Sequence, residues 1–246
     1  NVKITWISVC IYRGGFLLQA DQKKMPLVAA MLKYKKEQVY PFHTPGHKGG
    51  RGMEPLLAGE LGAGALQMDV SLMAELDDIH CPEGCIAAAQ TLAAQLYGSD
   101  RCFFAVNGTT QAIQAMLMTA VKPGGKVLIP RNAHRSVAGG LLLGDLEPVY
   151  VLPQFDAVFG INTQVTAGQI EEALQKDPSI KAVFLTSPNY YGQAADIKTI
   201  AQIAHKYGAA LLVDEAHGPH LGFSELLPPS SMECGADACA QSTHKI

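Results

Sequence analysis

The sequence predicts an α/β protein with a mostly parallel sheet covered by helices. From residue 86 onward, short apolar segments of strand length alternate with longer segments of helical periodicity. The predicted strands are apolar on both faces, as in parallel sheets that carry helices on both sides. No internal repeat or low-complexity tract interrupts the alternation.

The first part of the chain contains one clear helix. Apolar residues recur at helical spacing over 26–38, and Pro26 suits a position in the first turn. Two prolines and four glycines over 41–52 predict an ordered turn or loop, and residues 53–85 are predicted to be irregular. We expect three segments: an extension at 1–24, an N-terminal helix and ordered loop at 25–85, and a major domain at 86–246.

The major domain begins with a helix over 86–98, which Gly98 ends. Thr166 and Gln169 form a capping box, which predicts a helix start at 167. The predicted strands are 102–106, 126–130, 147–153, 181–187, 209–215 and 238–242. The other predicted helices are 109–121, 134–144 and one that begins near Ile197.

Composition excludes several classes of function. Hydrophobic residues make up 48% and charged residues 17%, which supports a packed core and argues against disorder. The net charge of -3 gives no basic footprint for nucleic acid, and no long Lys/Arg run indicates a membrane surface. Residues 4–12 are apolar but too short to span a bilayer, and no signal-peptide cleavage pattern follows them.

The six cysteines predict free thiols and a cytoplasmic protein. A chain of 246 residues with this apolar content does not need a disulfide scaffold. His80, Cys81 and Cys85 could be read as a zinc site, but their spacing lacks the usual CxxC pairs. We therefore expect no metal.

Candidate functional residues follow the predicted strands, because ligands of open α/β sheets bind beyond the carboxyl ends of the strands. Gly108, Thr109 and Thr110 follow the first strand and open a helix. Gly108 allows a close backbone approach, and the hydroxyls and helix N–H groups could hold a phosphate. The same residues also fit a capped helix start, so both interpretations stay open.

Other strands are followed by polar groups that suit a cofactor. His134 is either a capping group or a catalytic one, and 188–192 is an aromatic turn that could simply pack. Asp214 ends an apolar strand, and a buried carboxylate needs a partner. Lys245 lies near the end of the last strand. A phosphate site, a stacking ring, a buried aspartate and a lysine together match pyridoxal 5'-phosphate (PLP).

These residues lie in stretches that resemble the Orn/Lys/Arg decarboxylase family of fold-type-I PLP enzymes, which have an aspartate aminotransferase-like fold. The resemblance runs from about residue 26 to the end of the sequence. The matching stretches are PFHTPGHKGG (41–50), ELDDIHCPEG (75–84), NGTTQA (107–112), RNAHRS (131–136), TSPNYYG (186–192), VDEAHG (213–218) and STHK (242–245).

The resemblance implies a role for each matched site residue. Lys245 would be the Schiff-base lysine, Asp214 the partner of the pyridinium nitrogen, and His134 the ring that stacks on the cofactor. Ala216 would lie under the opposite ring face, and His217 near the ring oxygen and the reacting carbon. The residues implied to hold the phosphate are Gly108, Thr109, Thr110, Ser242 and His244.

The implied activity is decarboxylation of arginine, lysine or ornithine to an amine and CO2, as in polyamine biosynthesis. His217 or Lys245 is the implied proton donor. The family implies a homodimer or higher homo-oligomer, and residues 43–50 either reach across that interface or form a structural turn. Alternatives are another fold-type-I activity, such as an aminotransferase or aldolase, or a catalytically silent fragment.

The sequence ends one residue after Lys245, whereas family members continue with more of the major domain and a C-terminal domain. We therefore expect this chain to be an incomplete major domain. The arginine that holds the substrate carboxylate in fold-type-I enzymes has no convincing counterpart among its candidates. These candidates are Arg51, Arg101, Arg131 and Arg135.

Overall fold

The computed structural model describes residues 8–10 and 21–245. The chain forms two compact units, one of residues 19–92 and one of residues 93–246 with 1–18. The prediction made for residues 4–12 falls outside the described part, apart from 8–10. None of the described helices is long and apolar enough to cross a membrane.

The bounds of the elements follow the predicted alternation closely. The helices are α1 (Pro26–Glu37), α2 (Pro55–Leu61), α3 (Ala63–Leu66), α4 (Cys85–Leu96), α5 (Gly108–Ala120), α6 (Arg135–Gly144), α7 (Ala167–Lys176) and α8 (Ile197–Lys206). The strands are β1 (Ser8–Cys10), β2 (Cys102–Phe104), β3 (Lys126–Pro130), β4 (Glu147–Val151), β5 (Phe155–Asp156), β6 (Ile161–Asn162), β7 (Ile180–Thr186), β8 (Ala210–Glu215) and β9 (Ala238–Gln241). Short 3-10 helices cover Leu221–Phe223 and Thr243–Lys245.

The unit of residues 19–92 corrects one prediction. Residues 53–85 are not irregular throughout, because α2 and α3 lie within them. The Glu54 carboxylate accepts a hydrogen bond from the Leu57 N–H at 3.1 Å, and Pro55 occupies the first turn of α2. Gly62, at φ 78°, separates the two helices. Helices of seven and four residues are too short to show a hydrophobic period in the sequence.

The glycine-rich loop of this unit is an ordered turn, as predicted. Lys48, Gly49 and Gly50 all have positive φ. Glycine adopts this backbone conformation most easily, and it occupies two of these three positions. The His47 ring accepts the Gly50 N–H at 3.2 Å and pairs with Asp69 at 3.0 Å. Lys48 donates to the backbone carbonyl of His43. These contacts support the interpretation as a structural turn.

Five parallel strands form the sheet of the larger unit. Their order is β4-β3-β7-β8-β9, and each neighbouring pair is parallel. Since all five run the same way, their carboxyl ends meet at one edge of the sheet. The predicted fold class is confirmed.

Two features of the strand pairing depart from the expected pattern. The sequence places β2 with the other strands, but β2 pairs with β1 in an antiparallel ribbon outside the five-stranded sheet. Strands β5 and β6 form a small antiparallel hairpin that the sequence did not predict. Two-residue strands leave no alternation to detect.

Alternate residues of the sheet face two separate hydrophobic clusters, so the unit has three layers. One face carries Leu128, Val183 and Leu211, which pack in the cluster that contains the apolar faces of α7 and α8. The opposite face carries Ile129 and Phe184, in the cluster built with α5 and α6. Residues Val127–Ile129, Ala182–Leu185 and Leu211–Val213 are almost fully buried. This packing fixes the strand ends on which the candidate site depends.

The predicted capping box at the start of α7 is confirmed. The Gln169 N–H donates to Thr166 Oγ1 at 3.2 Å, and the Thr166 N–H donates to Gln169 Oε1 at 2.9 Å. We expect Thr166→Ala to lower the free energy of unfolding by about 1 kcal/mol, because the Gln169 N–H loses its acceptor at the helix N-terminus. Urea unfolding checks this value. Thr166→Ser keeps the hydroxyl and should retain most of the stability; an equal loss in both variants would contradict the capping role.

Candidate active site

All ten candidate residues line one cavity of about 430 Å³. The cavity lies beyond the carboxyl ends of β3, β7, β8 and β9, within the larger unit. The ten residues are Gly108, Thr109, Thr110, His134, Asp214, Ala216, His217, Ser242, His244 and Lys245. Residues separated by more than half of the chain thus meet at the sheet edge that the strand directions predict.

The start of α5 forms one wall of the cavity. Gly108 has φ +69°, a conformation that favours glycine. The Asn107 side chain makes no capping hydrogen bond, so it does not cover the first N–H groups of this 13-residue helix. A helix N-terminus with free N–H groups favours an anion. Ser242 and His244 also line the cavity, with Ser242 Oγ 3.2 Å from His244 Nδ1.

His134 both caps a helix and lines the cavity. Its Nδ1 accepts the Ser136 N–H at 3.2 Å at the start of α6 and lies 2.8 Å from Ser136 Oγ. Because Nδ1 accepts a backbone N–H, we assign the ring proton of the neutral form to Nε2. The two interpretations of His134 from the sequence are therefore compatible.

Asp214 places a buried carboxylate in the cavity wall. The residue is 4% exposed, and the only hydrogen bond to its carboxylate from the described residues comes from the Ala216 N–H at 3.1 Å. Burial raises the pKa of Asp214, while the Ala216 N–H and the charges of Lys245, His134 and His217 oppose that rise. A carboxylate in this position favours a cationic partner in the cavity.

Lys245 and His217 lie together at the cavity, with Lys245 Nζ 3.4 Å from His217 Nε2. Burial and the charge of Lys245 lower the pKa of His217, and Asp214 acts in the opposite direction. The imidazole is therefore neutral near pH 7 and can accept a hydrogen bond from the lysine. The edge of the Tyr190 ring faces His217, with ring centroids 6.4 Å apart.

Sequence reasoning missed two cavity residues that contact each other. Thr186 ends β7 in register with Asp214, and its buried Oγ1 has no hydrogen-bond partner among the described residues. Gln164 Nε2 donates to the carbonyls of Thr186 at 3.2 Å and Gln193 at 2.7 Å. The strand-end rule could have found Thr186. No local signal marks Gln164, because it follows the unpredicted hairpin.

The aromatic turn after β7 does not pack in the interior. Tyr190 is 85% exposed at the rim of the cavity. The turn is held instead by Asn189, whose Oδ1 accepts the N–H groups of Tyr191 and Gln193, both at 3.0 Å. The interpretation as a packed loop is wrong for Tyr190.

None of the four arginines considered as a binding group for the substrate carboxylate lines the cavity. Arg101, Arg131 and Arg135 belong to the same unit as the cavity but do not line it. The Arg131 guanidinium lies 5.0 Å from the centroid of the Tyr150 ring. In the other unit, Arg51 lies over Tyr40 at the same distance.

Fold and cavity define a class: α/β proteins whose parallel sheet carries a lysine, a neutral histidine, a buried aspartate and a helix N-terminus around one ligand site. Residues 25–246 match the family described as Orn/Lys/Arg decarboxylase, major domain. The chain belongs to the Orn/Lys/Arg decarboxylase family.

Three relatives illustrate the similarity. An arginine decarboxylase of Bacillus cereus is 41% identical over 226 residues, which cover 92% of this chain and 49% of the relative. A lysine decarboxylase of Hafnia alvei is 30% identical over 165 residues, 63% of this chain and 22% of the relative. The crystal structure of a Francisella novicida lysine decarboxylase superposes with a TM-score of 0.76 at 26% identity, covering 90% of this chain and 34% of that one. The chain spans about half the length of its arginine decarboxylase relatives.

Proposed function

We propose that this chain carries the cofactor-binding part of a PLP-dependent decarboxylase that acts on a basic amino acid and releases an amine and CO2. The observation that carries the proposal is the meeting of Lys245, His217 and Asp214 with the free N-terminus of α5 in one cavity. The names of the relatives support arginine as the first substrate to test, followed by lysine and ornithine.

The chemistry of the cavity fits PLP both at its phosphate group and at its ring nitrogen. The uncapped N–H groups of α5 suit its phosphate, with Thr109, Thr110, Ser242 and His244 as further donors. Asp214 lacks a cationic hydrogen-bond partner among the described residues and suits the protonated ring nitrogen. The unpartnered Thr186 hydroxyl offers one more polar contact at the wall of the same cavity.

Each residue has a separate task in this proposal. Lys245 would hold the aldehyde carbon covalently. The His134 ring and the Ala216 methyl group would pack on the two faces of the cofactor ring. When bound, PLP supplies an aldehyde that condenses with amines and a conjugated ring that accepts the electron pair left by a broken bond at the α-carbon. Asp214 would hold the proton on the ring nitrogen, which would strengthen that electron acceptance.

After CO2 has left, the α-carbon of the substrate would need a proton to give the amine. His217 and Lys245 are the groups that we propose for this transfer, because they lie 3.4 Å apart at the cavity. The lowered pKa of His217 favours release of a proton once the ring has acquired one. Exposed aromatic side chains at the cavity rim, Tyr190 and Tyr191, favour cover by a second subunit, so we propose a homo-oligomer.

We further propose that the protein works in a reducing compartment such as the cytoplasm. Cys81, Cys85 and Cys234 are free thiols, as the sequence predicts. Burial raises the pKa of the Cys85 and Cys234 thiols, which keeps both in the less reactive neutral form.

Borohydride trapping tests the cofactor site. The chain is mixed with PLP, reduced and digested, and we expect mass spectrometry to find the pyridoxyl group on Lys245. Lys206→Ala removes an exposed lysine of the same unit, paired with Glu171 at 2.8 Å, and should leave the labelling unchanged. Lys245→Ala should abolish it. Label spread over surface lysines, or none at Lys245, would exclude the proposed site.

Substrate turnover then separates the remaining alternatives. Amine and CO2 from arginine, lysine or ornithine indicate a decarboxylase, and a keto acid indicates an aminotransferase. Labelling at Lys245 without turnover by the full-length protein would indicate a catalytically silent member.

A further inference from the structure

Glu215 is the most deeply buried carboxylate near the site, and the proposed chemistry does not use it. It follows Asp214 on β8, is fully buried and faces away from the cavity. Its Oε1 accepts the Ser231 N–H at 2.7 Å and the Ser231 hydroxyl at 2.6 Å. Its Oε2 accepts Gln241 Nε2 at 2.7 Å. It forms no ion pair with any cation of the described residues.

One side of Glu215 supports the strand end that leads to Lys245. Gln241 is the last residue of β9 and lies in register with Glu215 on the neighbouring strand. Ser242 follows directly, and the Lys245 N–H donates to the Ser242 carbonyl at 3.2 Å. The bond from Gln241 to Glu215 therefore fixes the origin of the short turn that carries the lysine.

The other side of Glu215 supports the turn that carries His217. The Gly218 N–H donates to the Glu215 carbonyl at 2.9 Å and closes this turn. A Cβ at Gly218 would lie 2.6 Å from Glu215 Cγ, so the turn packs directly on the glutamate side chain. Only glycine allows that approach.

We propose that Glu215 is a positioning residue: its backbone carbonyl and Cγ carry the His217 turn, its carboxylate anchors the β9 end, and together they set the separation that brings His217 and Lys245 into contact. This inference deepens the proposed function, since it concerns the same pair of side chains. The geometry supports it because Glu215 contacts both segments, and the 3.4 Å contact between His217 and Lys245 spans them.

The decisive variants exchange donor and acceptor. In Glu215→Gln the new amide oxygen can keep the Ser231 donors, and its N–H group then faces the Gln241 N–H group. The bond to Gln241 is lost in the observed orientation of that amide, whose Oε1 has no partner among the described residues. Adding Gln241→Glu restores the bond between positions 215 and 241. The amide N–H of Gln at 215 can donate to the carboxylate of Glu at 241, while the amide oxygen at 215 still accepts from Ser231. Glu233→Gln is the matched control: Glu233 accepts the N–H and hydroxyl of the neighbouring Ser230 at 2.8 and 3.1 Å but does not line the cavity.

The readout is the pKa of the His217 ring, measured by NMR in the cofactor-free chain. Burial and Lys245 hold this pKa below 6.5, Asp214 raises it, and the Tyr190 ring is the remaining group against the imidazole. In Glu215→Gln we expect the pKa of His217 to rise toward 6.5, because the half-buried ring moves into solvent and away from Lys245. Loss of a nearby negative charge alone would lower it, so the sign separates positioning from simple electrostatics.

The double variant should return the His217 pKa to the wild-type value, and Glu233→Gln should not change it. A pKa in Glu215→Gln that stays or falls, or no recovery in the double variant, would overturn the proposal even if the melting temperature drops. If Glu215→Gln does not fold, Ser231→Ala, which removes only the hydroxyl donor, should produce a smaller rise.

A separate measurement connects the inference to the cofactor. We expect the PLP dissociation constant to rise about tenfold in Glu215→Gln, the scale typical of a lost supporting hydrogen bond behind a site. Failure of the wild-type chain to bind PLP would count against the proposed function alone, because the His217 titration does not require the cofactor.

Discussion

Replacement of Asp214 by asparagine should lower the proposed decarboxylation activity at least about a hundredfold, the scale of a lost electrostatic contact in an active site. Asp214 is the one acidic side chain among the described cavity residues, so no neighbour can substitute for it. An amide of the same shape cannot hold the proton on a pyridinium nitrogen. Steady-state turnover with saturating PLP measures the effect.

The same substitution should leave the cofactor-free chain as stable as the wild type or more stable. Burial raises the pKa of Asp214, so ionisation of the folded protein carries a penalty that grows as the pH rises through that pKa. The stability of Asp214→Asn relative to wild type should therefore increase between pH 4 and pH 7 in urea unfolding. Asp196 gives the opposite control: the bonds to Thr199 lower its pKa below 3.8, so Asp196→Ala should cost more at pH 7 than at pH 2.

An activity loss accompanied by a stability loss at neutral pH would contradict this account of Asp214. It would mean that the Asp214 carboxylate stabilises the folded protein rather than binding a cationic ligand. Preserved activity would exclude its proposed partnership with the ring nitrogen.

Truncation of Phe184 should have the largest effect on stability. Phe184 is fully buried in β7, the central strand of the five, and packs in the cluster with α5 and α6. We expect Phe184→Ala to lower the free energy of unfolding by about 3–5 kcal/mol, the usual cost of removing a buried aromatic ring and leaving a cavity.

The hairpin supplies a matched control for this variant. Phe159 is 76% exposed, so Phe159→Ala should change the free energy of unfolding by less than about 0.5 kcal/mol. Both values come from urea unfolding followed by circular dichroism. Similar losses in the two variants would show that the sheet is not the stabilising core of this unit.

The sequence predicted the parts of the fold that repeat a local pattern. Strand β3 and helix α7 have the predicted bounds, because an apolar run and a capping box mark them directly. The antiparallel partner of β2 was not predictable, since β1 lies more than ninety residues upstream and hydrogen bonds between strands leave no local trace. Helices α2 and α3 were missed because they are shorter than the window that reveals a period.

The site divides in the same way. Each candidate that follows a strand could be placed by the rule that parallel strands deliver their next residues to a shared edge. The hydrogen bonds from Gln164 and the connection of Glu215 to Ser231 depend on side chains from segments with no common pattern. Such contacts arise from tertiary packing and became visible only with the fold.

The spread of the cavity residues along the chain also sets when the cavity can exist during folding. Each parallel pair of strands needs a long crossover, so the sheet closes through non-local contacts, which form slowly. An intermediate that has already built α5, α6 and β3 can be compact and largely helical while Asp214 and Lys245 are still apart. Ligand binding would then lag behind the recovery of helical signal on refolding, and it would report completion of the last strand pair, β8 with β9.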